Sequence, residues 1–336
     1  MSELYIVTGG YGHVGNTVIK ELIRRGKSVR ALVLPTDNSV SLDGFNVELF
    51  GGNICDIASL EPLFSTDNSR DIIVIHTAGI ITIATKFQQI VYDVNVIGTK
   101  NIIAQCLKHK VKKLVHVSSV HAIPEIADRG VIKEITTFNQ DEVIGLYAKT
   151  KAEATQAVLD STKEGLDAVV VNPSGIIGPF DYGHGHITQL IMDYLDGRLT
   201  SGIDGGYDFV DVRDVAYGIL SAAQNGKTGE CYILSGGFHT IRELLSILHR
   251  ASGKRPIKSF LPIWFVQFTA PLAEAYYKLL KQPPLFTKYS LYTLSSNSNF
   301  SNAKAKRELG FTSRDFAETL NDTVIWLREN NRVKMK

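Results

Sequence analysis

Tyr147 and Lys151 are the residue pair of this chain whose types and spacing are best suited to chemistry. Residues four positions apart lie about one turn apart on an α-helix, so the two side chains would share a face. An ammonium group beside a phenol favours the phenolate and lowers a pKa that is about 10 when unperturbed. The pair would therefore make Tyr147 a proton donor or acceptor near neutral pH. Because this spacing also arises by chance on solvated helices, the elements around it decide its meaning.

A glycine-rich turn near the N-terminus is the first of these elements. Residues 4–7 are continuously apolar, which predicts a strand buried on both faces. Gly9, Gly12 and Gly15 follow, and an amphipathic pattern then predicts a helix over 13–25. A strand, a glycine turn and a helix aim backbone N–H groups at a pyrophosphate, so the turn predicts a dinucleotide site. The spacing differs from the Gly-x-Gly-x-x-Gly fingerprint, so an ordinary glycine-rich turn stays open as an alternative.

Apolar strands alternate with amphipathic helices through the first two-thirds of the chain. Further strands are predicted at 28–34, 46–50, 71–76, 112–118, 166–172 and 230–234. Further helices are predicted at 90–109, 146–163, 186–196 and 213–224. This rhythm predicts an α/β fold with a Rossmann-type doubly wound parallel sheet.

The pattern becomes less regular after residue 172. We expect residues 1–172 to form an NAD(P)-binding Rossmann domain that also receives segments near 205–235. A smaller, mostly C-terminal substrate-binding region is expected to comprise residues 173–204 and 236–336.

Composition and charge narrow the class of protein. The chain has 336 residues, 44% of them hydrophobic and 21% charged, which is ordinary for a globular protein. A formal net charge of +2 argues against nucleic-acid binding. The three scattered cysteines and the absence of a leader pattern predict buried thiols and a cytoplasmic location. We also expect a monomer or homodimer. The apolar segment 260–273 is interrupted by Pro262, Gln267 and Pro271, so we expect no integral membrane association and a buried helix or pocket wall there.

Several short motifs occur in an order that one family shares. They are Thr-Gly-x-x-Gly-x-x-Gly at 8–15, His-Thr-Ala-Gly at 76–79, Asp-Val-Asn-Val-Ile-Gly-Thr at 93–99, Val-Ser-Ser at 117–119, Tyr-x-x-x-Lys at 147–151, Asn-Pro-Ser-Gly-Ile-Ile-Gly-Pro at 172–179, Phe-Val-Asp-Val-Arg-Asp-Val-Ala at 209–216, Ser-Asn-Ala-Lys-Ala at 301–305 and Leu-Gly-Phe at 309–311. Over nearly its whole length the chain resembles the extended short-chain dehydrogenases/reductases. It is most similar to their dihydroflavonol-4-reductase-like and 3β-hydroxysteroid-dehydrogenase-like branch.

The resemblance implies a catalytic set. Tyr147 would protonate the carbonyl oxygen as hydride arrives, or deprotonate the alcohol in reverse. Ser119 would hydrogen-bond that oxygen, and Lys151 would hold the nicotinamide ribose and tune Tyr147. Asn95 would hold a water in a proton relay or fix the backbone of its helix. Strand alternation turns Ser118 away from Ser119, which predicts a structural role for Ser118.

The resemblance also implies a cofactor site. Besides Tyr147 and Lys151, the residues expected to contact the dinucleotide are Thr8, Gly9, Tyr11, Gly12, His13, Val14, Gly15, Leu34, Asn53, Ile54, Thr77, Ala78, Gly79, Pro173, Ser174 and Ile176. An acidic residue at the end of the second strand would select NAD, and an arginine would select NADP. Leu34 stands there, Asp37 comes three residues later and Arg30 lies inside the strand, so NAD and NADP both stay open.

The expected substrate is a small carbonyl compound, with candidate contacts at His121, Pro124, Phe180, Tyr182 and His184. No metal is expected, because the histidine pair near 184–186 lacks a third ligand at a sensible spacing. The leading hypothesis is NAD(P)H-dependent reduction of a ketone or aldehyde. The alternatives are a nucleotide-sugar epimerase or dehydratase using bound NAD and, less favoured, a non-catalytic dinucleotide sensor.

Overall fold

A seven-stranded sheet forms the centre of the computed structural model, which describes residues 2–66, 70–84, 86–126, 129–183, 185–266, 268 and 288–334. The strands of this sheet are β1 (Ser2–Thr8), β2 (Ser28–Val33), β3 (Glu48–Gly51), β4 (Arg70–His76), β5 (Lys113–Val117), β6 (Ala168–Pro173) and β10 (Cys231–Leu234). Their spatial order is β3-β2-β1-β4-β5-β6-β10, and every pairing is parallel.

Helices cover both faces of this sheet. They are α1 (His13–Arg24), α2 (Ile57–Phe64), α3 (Gln89–Tyr92), a π-helical segment (Asp93–Ile97), α4 (Gly98–Lys108), α5 (Leu146–Ser161), α6 (His186–Leu195), α7 (Val212–Asn225), α8 (Ile241–Ser252), α9 (Lys288–Ser295), α10 (Ala303–Leu309) and α11 (Phe316–Glu329). Tyr5 and Val7 of β1 pack with α1 and α7, whereas Ile6 packs with α2, α4 and α5. Each central strand is buried on both faces, which explains its continuous apolar sequence. The predicted doubly wound parallel α/β fold is confirmed.

The strand order reverses between β1 and β4. β2 and β3 lie on one side of β1, whereas β4 and the later strands lie on the other. Thr8 at the end of β1 is the register partner of His76 at the end of β4. Open α/β sheets bind ligands outside the carboxyl ends of the strands at such a switch point. The glycine turn and the 76–79 motif therefore meet where a dinucleotide would be expected.

A smaller region packs beside the sheet. It contains β7 (Gly175–Ile177), β9 (Gly206–Asp211) and β11 (Phe238–Thr240) in one sheet, and β8 (Gly202–Ile203) with β12 (Phe260–Leu261) in another. Helices α6, α8 and α11 share a second apolar core with the first of these sheets. The strand β10 returns to the large sheet beside β6. The division into two domains at residue 172 stays a prediction.

The predicted elements differ from the observed ones mainly at their ends. The third strand begins at Glu48, two residues later than predicted, and the predicted helix 90–109 contains the π-helical segment. No helix within the described ranges has both the length and the apolar character needed to span a membrane.

Candidate active site at the switch point

Two glycines of the N-terminal turn are required by the protein itself. Gly9 has a φ of +71°, a conformation that L side chains rarely adopt. A Cβ on Gly9 would lie 2.9 Å from Cα of Ala78, and a Cβ on Gly15 would lie 2.2 Å from the carbonyl oxygen of Gly9. These two glycines therefore let the turn, the segment after β4 and helix α1 approach one another closely.

Gly12 has a different reason to be glycine. Among the described residues, the one neighbouring atom within 4 Å of a Cβ placed there is the carbonyl oxygen of Gly9, at 3.2 Å. Gly12 is the N-cap of α1, with no side-chain cap and no acidic residue in the first turn of the helix. The N–H groups at the start of α1 and the positive end of the helix dipole are thus left to an anionic ligand, whereas the N–H groups of Gly10 and Gly12 donate to carbonyl oxygens of Leu32 and Gly9. The residues present fit a dinucleotide pyrophosphate.

Threonine hydroxyls fix the segment that follows β4. Thr77 donates from Oγ1 to the carbonyl oxygen of Thr8 over 2.6 Å, and Ala78 N–H donates to Oγ1 of Thr8 over 3.2 Å. A Cβ on Gly79 would lie 3.2 Å from Oδ1 of Asn95 and 3.4 Å from Nζ of Lys151. Gly79 thus lies against two of the predicted catalytic residues.

His76 lies in a buried chain of hydrogen bonds whose direction can be assigned. Thr99 donates from Oγ1 to the carbonyl oxygen of Asn95 (2.7 Å), so Thr99 Oγ1 must accept from His76 Nε2 (3.0 Å). His76 Nδ1 then accepts from the Thr8 hydroxyl over 2.7 Å. Burial, followed by the charge of Lys151, lowers the pKa of His76 to about 3. The ring is therefore neutral at physiological pH. These hydrogen bonds require a neutral ring, because Nδ1 can accept only when it carries no proton.

Asn95 ties the segment after β4 to helix α5. Its Oδ1 accepts from the N–H of Ile80 (2.8 Å), while its Nδ2 donates to the carbonyl oxygen of Ile80 and to Oγ1 of Thr150, both over 3.0 Å. Thr150 in turn donates to the carbonyl oxygen of Tyr147 over 2.9 Å. The side chain of Asn95 thus holds the backbone of Ile80, not the backbone of its own helix. Its part in a proton relay stays a prediction.

The two serines after β5 face different partners. Thr155 donates to the carbonyl oxygen of Lys151, so the buried Ser118 hydroxyl donates to Oγ1 of Thr155 over 2.6 Å. Oγ of Ser119 accepts from the N–H of His121 over 3.2 Å and interacts with the phenol of Tyr147. This arrangement agrees with the alternation argument, which gave Ser118 a structural role.

Tyr147 lies in the first turn of α5 and is 8% exposed. Burial raises the pKa of Tyr147 to about 12, and the hydroxyl of Ser119 acts in the opposite direction. The spacing of the two residues predicts that Lys151 lowers this pKa. In the structure the ammonium of Lys151 donates to the carbonyl oxygen of Val117 over 2.9 Å. The phenol therefore stays protonated at neutral pH, which suits a proton donor.

Lys151 is 5% exposed, and burial lowers its pKa to about 8. Its ammonium lies beside Gly79, at the edge of the switch point. Three donors on a flexible stem could hold ribose hydroxyls in this position.

A cavity of about 140 Å³ lies next to His121, a neighbour of Tyr147. His121 is part of its lining, and the ring of His121 meets that of Tyr147 edge-on with centroids 5.9 Å apart. Further lining side chains are Ile123, Val143, Tyr207, Tyr292 and Phe300. The predicted substrate residue Pro124 lies between two residues of this lining, Ile123 and Glu125. The described lining contains no lysine or arginine.

Other predicted cofactor residues lie near the glycine turn. Tyr11 and Val14 pack against the core on the α1 and α7 side of the sheet. A ring nitrogen of His13, Nε2, is hydrogen-bonded to the carbonyl oxygen of Pro179 over 2.8 Å. Burial lowers the pKa of His13, so a neutral ring joins the first turn of α1 to the smaller region.

The end of β2 carries no free cation on the strand itself. Leu34 is 51% exposed, directly after the strand. The guanidinium of Arg30 is bound by the carboxylate of Glu48 and by the carbonyl oxygens of Leu63 and Ser65. Arg30 is therefore not a phosphate ligand here, as its position in the sequence indicated.

The residues predicted near the adenine form a compact turn. Oδ1 of Asn53 accepts from the N–H of Cys55 over 2.9 Å, so this oxygen already stabilises the turn. Ile54 is buried, its carbonyl oxygen accepts from Asn101, and its side chain lies against Gly98.

The last predicted cofactor residues follow β6. Pro173 is the register partner of Leu234, and Ser174 N–H donates to the carbonyl oxygen of Leu234 over 3.1 Å. Ile176 in β7 packs against the core.

Phe180 and Tyr182 pack away from the catalytic pair. Their rings meet Trp326 edge-on at 6.2 and 5.2 Å, and the ammonium of Lys20 lies 5.2 and 5.0 Å from their centroids. Within the described ranges no hydrogen bond or ring contact joins them to the catalytic pair. Their substrate role stays a prediction that this packing does not favour. His184 lies outside the described residues.

The apolar segment near the C-terminal third is described only in part. Trp264 and Phe268 are exposed, whereas Val266 packs in a small core; residues 267 and 269–287 lie outside the described part. The described aromatic side chains thus differ from the buried helix or pocket wall that was expected. Among the described residues, no group of three or more His, Cys, Asp or Glu could hold a metal ion.

Sequence reasoning missed Tyr207 and Asn172 as neighbours of the catalytic pair. Tyr207 hydrogen-bonds His121, and Asn172 donates from Nδ2 to the carbonyl oxygen of Ser119 over 3.0 Å. The signal that the sequence offered was the place of Asn172 at the start of the 172–179 motif.

A doubly wound sheet, a glycine turn at its switch point and the Ser119, Tyr147 and Lys151 group together define the class. The protein is an NAD(P)-dependent short-chain dehydrogenase/reductase that acts on a CH–OH or C=O group. A family model described as the NAD dependent epimerase/dehydratase family matches residues 5–235. The chain belongs to this family.

Known proteins resemble the chain over nearly its full length. Sterol demethylase protein B of Methylococcus capsulatus is 30% identical over 332 residues, which cover 98% of this chain and 99% of the relative. A Synechocystis protein with the provisional name dihydroflavonol 4-reductase is 29% identical, with 99% and 97% covered. The crystal structure of gox2253 superposes with a TM-score of 0.85 at 30% identity and covers 99% of this chain and 100% of its own. The resemblance to the extended short-chain dehydrogenases/reductases is confirmed.

Proposed function

We propose that this protein is an NAD(P)H-dependent reductase of an uncharged ketone or aldehyde, or the dehydrogenase of the corresponding alcohol. The observation that carries the proposal is that His121, which lines a cavity with Tyr207 and Phe300, contacts both Tyr147 and Ser119. Its lining combines aliphatic and aromatic side chains with polar groups, which suits a ring-bearing carbonyl compound.

Each catalytic residue has one task in this proposal. The bound nicotinamide supplies the hydride in reduction and accepts it in oxidation. Tyr147 gives its phenolic proton to the carbonyl oxygen as negative charge develops there. Ser119 donates a hydrogen bond to the same oxygen, and Lys151 holds the ribose hydroxyls. The products are an alcohol and the oxidised dinucleotide, and solvent returns the proton to Tyr147.

The cofactor site favours NADH over NADPH. Leu34 offers no charge to a 2′-phosphate at the end of β2, and Arg30 is bound elsewhere. Asp37 follows in the same turn, where a carboxylate would repel a phosphate.

The cavity argues against a nucleotide-sugar reaction. A nucleoside diphosphate carries negative charge that arginine or lysine would bind. The described lining offers neither, and Glu125 and Glu142 add negative charge. A non-catalytic sensor is disfavoured because it would need neither Tyr147 nor Lys151. The cytoplasmic location and the monomer or homodimer stay predictions.

The test follows oxidation of NADH and NADPH separately with aryl ketones, aldehydes, dihydroflavonols and steroids. Tyr147→Phe should lower turnover about 10²- to 10⁴-fold, the usual value of acid–base catalysis, with dinucleotide affinity nearly unchanged. Tyr5→Phe, which removes a buried hydroxyl on the far side of the sheet, is the matched control and should keep parental turnover.

Equal turnover in Tyr147→Phe and the parent would overturn the mechanism. Silence across the carbonyl panel together with conversion of a UDP-sugar would instead establish the nucleotide-sugar alternative.

A further inference from the structure

His121 contacts both Ser119 and Tyr147. Its backbone N–H donates to Oγ of Ser119 over 3.2 Å, and its ring meets the ring of Tyr147 at an angle of 73°. Because Oγ accepts this hydrogen bond, the hydrogen of the Ser119 hydroxyl is directed to another acceptor. A carbonyl oxygen between Ser119 and Tyr147 could be that acceptor.

Tyr207 in turn fixes the ring of His121. The Tyr207 hydroxyl and Nε2 of His121 are hydrogen-bonded over 3.0 Å, and the two rings stack with centroids 5.6 Å apart and 13° between their planes. Tyr207 is itself buried between Phe209 and Phe300 and so has little freedom to move. Burial lowers the pKa of His121 to about 4, so the stacked ring is neutral at physiological pH.

We propose that Tyr207 is a positioning residue for the reaction, which acts on Ser119 and Tyr147 through His121. The inference rests on the proposed function and deepens it, because it makes the wall contributed by β9 part of the catalytic alignment. Tyr207 lies 86 residues after His121, in a strand of the smaller sheet.

The physical effect is one of geometry. Without the Tyr207 hydroxyl, the ring of His121 loses the hydrogen bond that sets its rotation. The ring then no longer holds its edge contact with Tyr147, and the loop that carries Ser119 is less firmly fixed. Small misplacements of reacting groups cost large factors in rate, whereas dinucleotide binding depends on the switch point and should not change.

The experiment compares Tyr207→Phe, His121→Phe and the double variant in steady-state reduction of a ketone that the parent accepts. Tyr207→Phe keeps the stacked ring and removes only the hydroxyl. We expect kcat to fall about tenfold in each single variant, with KM changed less than kcat and dinucleotide Kd unchanged. The double variant should match the His121→Phe variant, because both changes remove the same coupling.

Tyr194→Phe is the matched control. Tyr194 is a buried tyrosine of α6 whose hydroxyl donates to the carbonyl oxygens of Lys254 and Arg255 at 3.4 and 3.1 Å. Tyr194→Phe should keep the parental kcat. This result would show that a fall in kcat in Tyr207→Phe comes from misplaced catalytic residues and not from the loss of any buried tyrosine hydroxyl. Thermal unfolding of all variants checks that each is folded, and if Tyr207→Phe does not fold, His121→Phe decides.

Parental kcat in Tyr207→Phe, or fully additive losses in the double variant, would overturn the inference while leaving the proposed function intact. A parent that reduces nothing in the carbonyl panel would contradict the proposed function and the inference together.

Discussion

The ammonium of Lys151 donates a hydrogen bond to the main-chain carbonyl oxygen of Val117 over 2.9 Å. The bond ties helix α5 to the end of β5, two residues before Ser119. Both groups are enclosed by the protein, so a charged side chain is held largely away from water at the point where catalysis would occur. This position carries a cost in stability that depends on pH.

Lys151→Met should stabilise the protein without bound dinucleotide at neutral pH, and it should abolish turnover. Burial lowers the pKa of Lys151 to about 8 from 10.5, so the folded state binds fewer protons than the unfolded state between these values. The free energy of unfolding of the parent protein therefore increases as the pH rises from 8 to 10.5. The advantage of the variant should be about 1–3 kcal/mol at pH 7 and should shrink by pH 9.5, as measured by urea denaturation.

Lys163→Met is the control, because Lys163 is exposed at the end of α5. The free energy of unfolding of Lys163→Met should equal that of the parent at both pH 7 and pH 9.5. A Lys151→Met protein less stable than the parent at pH 7 would show that the hydrogen bond to Val117 outweighs the cost of burying the charge.

Ser119→Ala and Ser118→Ala form a matched pair of adjacent substitutions. The first removes the donor beside Tyr147 and should lower kcat about 10²-fold. The second removes the buried bond to Thr155 and should cost about 1 kcal/mol of stability, with kcat within about twofold of the parent. Steady-state kinetics and urea denaturation of both variants check this, and a reversed pattern would show that the two hydroxyls have been assigned to the wrong tasks.

Leu34→Arg should shift cofactor preference toward NADPH. A guanidinium at the end of β2 can pair with a 2′-phosphate, and a change of about tenfold in the ratio of kcat/KM for NADPH and NADH corresponds to about 1.4 kcal/mol. Leu34→Gln introduces a polar side chain without a charge, so it should move the ratio much less. An unchanged ratio in Leu34→Arg would mean that the ribose does not lie beside residue 34.

His116→Phe should raise the free energy of unfolding. His116 is 1% exposed, and neither ring nitrogen has a hydrogen-bond partner among the described residues. Burial, followed by the charges of Lys151 and His76, lowers the pKa of His116 well below its usual value. Replacing an unpaired buried polar ring by an apolar one should gain about 1 kcal/mol.

His76→Phe provides the contrast, because His76 lies 5.4 Å away, ring to ring, and has partners on both nitrogens. It should lose about 2 kcal/mol or more in the same denaturation experiment. Destabilisation of His116→Phe to a similar extent would reveal a partner for that ring.

The parts of this protein that follow from local pattern could be predicted from the sequence. Continuous apolar runs mark strands buried on both faces, so the sheet, the glycine turn and the position of Tyr147 follow directly. The different partners of Ser118 and Ser119 follow from the alternation of a strand.

Contacts made between distant segments could not be predicted in this way. Tyr207 reaches His121 through β9, and nothing in its neighbourhood of the sequence marks it as a catalytic neighbour. Phe180 directly follows the 172–179 motif, yet its ring packs on Trp326. The pKa of Tyr147 depends on which acceptor Lys151 finds, and the spacing of the two residues does not contain that information.

The π-helical segment Asp93–Ile97 has a consequence for how this chain could change by insertion or deletion. A π-turn holds about one residue more than an α-turn. Deleting one residue there would restore an uninterrupted α-helix, and α4 would keep its orientation relative to α3, because four α-helical residues turn through about the same angle as five π-helical ones. The residues inside the segment would face new directions instead, so the side chain of Asn95 would lose its place against Ile80. The length of this segment is thus as constrained as its composition, and a homologue one residue shorter here would have to hold the 76–80 loop by other means.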